Sequence, residues 1–331
     1  VSPTGLAGAV AFVRVWGISI ASAVGGLLTL FVFRRGLPHV SLIVGYVLLL
    51  WILVAVLVQA RGVLAASERR THRFVLAATE YTVQTLYHGV LLFLLPAYWA
   101  ATTLTSSNVV FLVLLVALTL LATVDPWYRA VVHPYPWMGY VFFVVSLFGA
   151  LNLALPLVYV PPGWALLASA WIATVALTPA VCKARAWSWP RGVAVTAVVG
   201  LAVAAGVSYV RIAIPPAPLF LAESRIAWDV GTVHSLEPPS PIPAAALMGQ
   251  GLVAYTAIYA PAGLRTPVQH VWRQNGVIIN VIGLTVEGGR REGYRTFSRK
   301  HAFPERAEGR WNVDVMTGGQ LIGRVRFRVV R

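Results

Sequence analysis

Three residues at the start of one apolar stretch have the types and spacing to do chemistry. Glu80, Gln84 and His88 stand at i, i+4 and i+8, so on a helix they line one side, with Tyr81 and Tyr87 close by. A carboxylate, an amide and an imidazole in file can relay a proton or hold a polar ligand, with Arg14 from the first apolar run as counter-charge. Ionisable groups at membrane depth are costly and normally face a bundle interior or a wet cavity. The plainer alternative leaves Glu80 in water at a helix end and gives His88 one interhelical hydrogen bond. A haem held by two histidines would need a second histidine inside an apolar run, and His39, His72 and His133 all fall in or beside loops. Retinal chemistry would need a lysine in the last apolar run, and residues 193–214 contain none.

A second set lies near the C-terminus. His270, Trp272, Arg295 and Ser298 could build a recognition surface for a peptide, a glycan or a protein. Arg324, Arg326 and Arg328 alternate with Val325, Phe327 and Val329, so on a strand they form one row of guanidinium groups. Such a row suits anionic lipid or an acidic protein, or simply water. Trp311 reads as a core tryptophan. Asp125-Pro126-Trp127-Tyr128-Arg129 reads as an interfacial anchor at a helix end, and Asn152 as an interhelical hydrogen-bonding group.

Catalytic signatures are missing. There is no Gly-x-Ser-x-Gly elbow, His-Glu-x-x-His helix, P-loop or Gly-x-Gly-x-x-Gly turn. The single cysteine, Cys182, excludes an internal disulfide and any zinc site built on several thiolates. Nothing in these residues points to catalysis, although a membrane enzyme acting on lipid or cell-wall intermediates stays open, and no cofactor or metal is expected.

The elements that must position these residues follow from composition. The chain is 58% hydrophobic, with a mean hydropathy of +0.74, well above a soluble norm. Residues 1–215 hold twelve basic and only three acidic residues, against fourteen and eight in residues 216–331. A helix needs roughly 20 apolar residues to cross a bilayer. Seven runs qualify: 6–33, 39–60, 82–104, 109–124, 137–160, 164–181 and 193–214. The first is too long for a signal peptide. The chain opens at Val1 rather than Met, so its natural start is expected upstream. The second, fourth and sixth connections carry eight basic residues against two in the others, which predicts that the even loops are cytoplasmic. The N-terminus is then cytoplasmic and the C-terminal part periplasmic, in a bacterial inner membrane. This placement accounts for the net charge of +15 without nucleic acid as a partner.

Pro215, Pro216 and Pro218 stop the seventh run, and residues 216–250 read as a proline-rich linker with a first strand. From there the hydrophobic period becomes two. Strands are predicted at 226–234, 252–259, 268–273, 277–286, 294–301, 311–316 and 321–330, divided by Asn275-Gly276, Gly288-Gly289, Glu308-Gly309 and Gly318-Gly319. The expected fold is a helical transmembrane domain over 1–215 and a β-sandwich of immunoglobulin type over 251–331.

The block from Ile258 to Val330 resembles a family of bacterial β-domains of unknown function. The resemblance rests on Ala260-Pro261-Ala262-Gly263-Leu264, His270-Val271-Trp272 followed by Gly276, Arg295-Thr296-Phe297-Ser298, Gly309-Arg310-Trp311-Asn312-Val313-Asp314-Val315 and Phe327-Arg328-Val329. The helical part resembles the uncharacterised membrane region that precedes such a domain in some proteobacterial proteins. The resemblance implies the fold and no chemistry. Taken together, the residues predict an accessory or scaffolding subunit of a membrane assembly, with lipids and other membrane subunits as partners. The alternative is a transporter, channel or lipid-handling protein that uses the Glu80–Gln84–His88 stripe.

Overall fold

The structure, a computed structural model, describes residues 49, 51–56, 70–132, 134–232, 238 and 240–331. Arg14, the first expected span and most of the second lie outside the described residues. The chain divides into two compact units. One takes in Val1–Pro96, Leu112–Ala154 and Leu167–Ser208, and the other Ala97–Phe111, Leu155–Leu166 and Tyr209–Arg331.

From Arg70 onward the described α-helices, in chain order, are α1 (Arg70–Ala100), α2 (Val109–Thr123), α3 (Asp125–Val131), α4 (Pro136–Leu157), α5 (Pro162–Val175), α6 (Thr178–Arg185), α7 (Trp189–Tyr209) and a short α8 (Ala244–Gln250). Among the described residues, three stretches are long and apolar enough to cross a membrane: Trp137–Leu157, Pro162–Arg185 (α5 with α6) and Trp189–Tyr209. The bent pair α2 and α3 would make a fourth. Seven spans are therefore not supported. The 31-residue α1 is less uniformly apolar, since Glu80, Gln84 and His88 interrupt it. The expected span at 109–124 ends in a break at Val124, whose backbone is extended; Pro126 follows, and the chain turns by 106° into α3.

Within the helical unit, small residues let helices close on one another. Trp171 lies across Gly200 and donates its indole N–H to the carbonyl of Ala197 at 3.1 Å. The hydroxyls of Thr178 and Thr196 meet at 2.8 Å. A Cβ at Gly192 would run into the Cys182 sulfur. These are the close approaches that stabilise helix pairs where lipid removes the hydrophobic drive. α7 nevertheless keeps most of its apolar surface open, with Val198 67% and Leu201 64% exposed.

Among the described residues the second unit carries eight strands: β1 (Phe220–Ala227), β2 (Ile242–Pro243), β3 (Leu252–Tyr259), β4 (Arg265–Gln274), β5 (Val277–Glu287), β6 (Tyr294–Lys300), β7 (Gly309–Thr317) and β8 (Gln320–Val330). They form a three-stranded sheet ordered β1-β3-β6 and a five-stranded sheet ordered β2-β8-β7-β4-β5. All pairings are antiparallel except β2 on β8. Ile226 and Ala254 of the first sheet share a core with Trp272, Trp311 and Val329 of the second. Trp311 stacks on Phe327 at 5.9 Å, and Trp272 meets Phe327 edge-on at 6.3 Å, the offset and T-shaped arrangements that aromatic quadrupoles favour.

Asn275 (φ 50°) and Gly276 (φ 90°) make the two-residue β4–β5 turn, the left-handed pair that right-twisted hairpins require. Gly318 (φ 55°) and Gly319 (φ 81°) do the same for β7–β8. The tip of that second hairpin rests on the start of α5: a Cβ on Gly318 would sit 2.9 Å from the Cα of Gly163. Asn108, in the α1–α2 loop, donates its side-chain N–H to Leu321 O at 3.2 Å. Gln320 donates to Ile214 O at 3.0 Å. The β-strands and these helix ends thus belong to one compact unit.

Candidate functional site

A buried polar cluster lies between the two sheets. His270 on β4 is fully buried. Its Nδ1 lies 2.8 Å from Ser298 Oγ on β6, and its Nε2 3.0 Å from Thr256 Oγ1 on β3. Trp272 donates its indole N–H to the same Ser298 Oγ at 3.1 Å. Two neutral arrangements satisfy the ring. Either Nδ1–H donates to Ser298 while the Thr256 hydroxyl donates to Nε2, or both bonds run the other way. Burial pushes the imidazole down to about 4, so near neutrality it is uncharged. This cluster therefore sits in the core, and His270, Trp272 and Ser298 are unavailable as the surface that the sequence suggested. A serine beside a histidine can be an activated nucleophile; here burial leaves no approach for a substrate.

The other members of that expected surface separate. Arg295 is exposed on β6 and donates to Glu292 at 3.4 Å. Arg324 is taken up by Asp314, a buried carboxylate on β7: its Nη2 donates to Oδ2 at 2.9 Å, and Arg273 Nε donates to the same oxygen at 3.0 Å. Two guanidinium groups on one carboxylate make a local structural lock. Arg326 and Arg328 remain exposed.

The β7–β8 register adds a residue that the sequence reading missed. Arg310 lies directly opposite Arg328, and Asn312 opposite Arg326, so all four share the outer face of the five-stranded sheet. With Ser240 and Asn275 they line an open groove of about 580 Å³. Arg310 was findable: it alternates with Trp311 and Val313 as Arg328 does with Phe327 and Val329.

In the helical unit, His88 is 1% and Asp125 3% exposed. Gln84 donates its amide N–H to Asp125 Oδ1 at 2.7 Å and to Ala122 O at 3.1 Å. The Asp125 carboxylate acts electrostatically on the His88 ring. The Tyr87 hydroxyl reaches Gly139 O at 3.4 Å, and Asn152 is buried. Glu80 is half-buried. The stripe thus gains an acid from the α2–α3 bend. Asp125, expected in an interfacial anchor, is instead covered, whereas Trp127 of the same segment is 54% exposed and keeps the anchoring character.

Apolar helices of membrane-crossing length, joined in one chain to a two-sheet β-domain, define a class of architecture rather than an activity. The chain belongs to a family of unknown function, DUF5924, which matches residues 8–254. Residues 265–329 match a second one, a protein of unknown function, DUF2914. The gap between the two falls from the middle of β3 to the start of β4, inside the sandwich. No curated protein matches the chain. Among solved structures, an alkylpurine DNA glycosylase AlkC of Pseudomonas fluorescens, bound to DNA containing an abasic site analogue, aligns over 89% of this chain and 100% of its own. The identity is 10% and the TM-score 0.24, below the level of a shared fold.

Proposed function

We propose that this chain is a multi-pass protein of a bacterial inner membrane that serves as a non-catalytic accessory subunit. Its β-domain binds a strand of a partner subunit along β5. The observation that carries this is the contrast between sheet edges. β2 is two residues long, β1 carries Glu223 and Arg225, and β6 carries Arg295 and Arg299. These are the ordinary devices that stop edge pairing. β5 has eleven residues with no charge before Glu287, and Val277, Ile278 and Val281 are 65%, 52% and 48% exposed. A long, apolar, unguarded edge is suited to strand addition, in which main-chain hydrogen bonds supply affinity and alternate side chains supply specificity.

Several features support the membrane reading. Exposed Trp99, Tyr159, Trp164 and Tyr209 stand at helix ends in the β-bearing unit, and exposed Trp127, Tyr135, Trp137 and Trp189 at helix ends in the other. Aromatic residues exposed at helix ends suit interfacial anchors. The α1–α2 and α4–α5 loops share a unit with the β-domain, in keeping with a periplasmic side for all three. The β1-β3-β6 and β2-β8-β7-β4-β5 orders, with tryptophan buried on β4, fit the immunoglobulin arrangement.

The test is purification of the full chain in mild detergent from its own membrane. Val281→Lys places a charge on the edge without touching the core and should abolish recovery of the partner subunit, while Phe297→Lys on β6 should leave it. A chain that runs alone in both cases, or a partner retained by Val281→Lys, sinks the reading.

A second reading, transport or lipid handling through the helical stripe, is favoured by the bent α2–α3 pair that brings Asp125 to Gln84. Broken helices carrying polar groups are where transporters place their ligands. Under that reading, Glu80→Gln combined with His88→Ala abolishes flux in liposomes; unchanged flux removes the stripe from any mechanism.

A further inference from the structure

We propose that the groove formed by Arg310, Arg326 and Arg328 is an anion site that holds the phosphodiester headgroup of an anionic phospholipid of the same membrane. Arg310 and Arg328 face each other across an antiparallel pair, where side chains begin about 5 Å apart. Like charges so placed destabilise a sheet unless something negative lies between them. Neither has an ion-pair partner among the described residues. Two acids on or beside β7 are engaged elsewhere: Asp314 with Arg273 and Arg324, and Glu308 with Arg331 at 3.9 Å. Arg326 stands diagonally beside the pair, and Asn312, Asn275 and Ser240 add neutral polar groups around the groove. A planar guanidinium fork matches two phosphate oxygens at once, so three forks and amide donors suit a phosphate better than a lone carboxylate.

The position of Arg326 favours a lipid as the source. Its Nη2 donates to Thr105 O at 3.3 Å, in the loop that joins the end of α1 to the start of α2. Leu104, beside it in sequence, is 57% exposed, and Trp99 at the end of α1 is 62% exposed. An exposed leucine and indole at a helix end mark the level at which aromatic anchors meet headgroups. A guanidinium held at that loop is within reach of lipid phosphates, and anionic leaflets attract basic groups placed near their surface.

The full-length protein in neutral detergent is titrated with phosphatidylglycerol, phosphatidylcholine and inorganic phosphate separately, and bound lipid is read by native mass spectrometry. Phosphatidylglycerol should be retained in preference to phosphatidylcholine, and Arg310→Gln with Arg328→Gln should weaken its binding about tenfold, the scale of one lost charge-assisted hydrogen bond. A charge-matched control, Arg291→Gln with Arg306→Gln, removes two exposed arginines elsewhere and should leave binding unchanged. Arg310→Lys with Arg328→Lys keeps the charge without the fork and should fall between; it also tests the site if the glutamine pair misfolds. Equal losses in the control and the site variant would reduce the effect to bulk charge and overturn the assignment. Inorganic phosphate displacing the lipid at equal concentration would overturn the lipid as source. None of these arms alters β5, so the strand-addition reading stands or falls separately.

Discussion

Among the described residues two histidines are buried, His88 in the helical unit and His270 in the β-domain, and their neighbours differ in kind. Around His270 both ring nitrogens meet hydroxyls, and no charged group takes part. Around His88 the acting group is a carboxylate, Asp125, itself tied to Gln84. A closed neutral network fixes one arrangement of two sheets and has little capacity to change charge. A carboxylate and an imidazole buried in one helical unit are ionisable groups kept in apolar surroundings, where each is costly. The first pattern belongs to architecture. The second is where the chain retains an ionisable group at a cost, which is why the transport reading stays attached to it.

The sharpest break of this comparison is His270→Ala. It removes a packed ring and strands the hydroxyls of Thr256 and Ser298 between the sheets, which should destabilise the β-domain by about 3–4 kcal/mol. Hydrogen exchange on β3, β4 and β6 in the full chain reads the loss. A change under about 1 kcal/mol would mean that the network does not hold the sheets.

Acid gives the next effect. The unfolded imidazole takes up a proton near pH 6.5, whereas the folded one does so only near 4. Between those values the unfolded state binds more protons, so stability rises with pH across the window. It is fully present above about pH 6.5 and declines as pH falls toward 4, by about 3 kcal/mol at most. Denaturant melts of the β-domain at successive pH values should show the decline, and His270→Gln should flatten it. A decline of the same size in the glutamine variant would assign the titration to another group.

How much of this was legible in the sequence depends on whether local pattern or a distant partner set the outcome. β3 falls where the alternation placed it, and β4 to β8 lie within a few residues of expectation, because glycine and asparagine turns fixed the hairpins. β1 was expected at 226–234 and lies at Phe220–Ala227; an irregularity between Leu221 and Glu223 breaks the period that would have marked it. β2 and α8 hid in a proline-rich stretch that reads as linker. The burial of His270 was available from register, since it shares a side with Val268 and Trp272. Its polar type argued for the surface only until the facing hydroxyls of Thr256 and Ser298 were in view. Arg324 shows the reverse. Its row was legible, but its commitment to Asp314 required the β7–β8 pairing. In the helices, an Asp-Pro pair marks a chain break, and nothing local reveals that Gln84, 41 residues away, reaches the carboxylate.

The smallest effects test that last contact and decide which side of the comparison Asp125 belongs to. Asp125→Leu removes the acceptor of a 2.7 Å bond but leaves Gln84 its bond to Ala122 O, so the cost should be about 1–2 kcal/mol. Asp125→Asn keeps an oxygen at the same place and discards the charge. If the carboxylate serves only as an acceptor for Gln84, asparagine should cost about 0.5 kcal/mol or less, and thermal shifts in detergent would separate the two variants cleanly. Asparagine costing as much as leucine would mean that charge, and not the hydrogen bond alone, holds α1 against the α2–α3 bend. The helical cluster would then be a structural lock like the one at His270, and the contrast between the two histidines would narrow to chemistry without a difference in role.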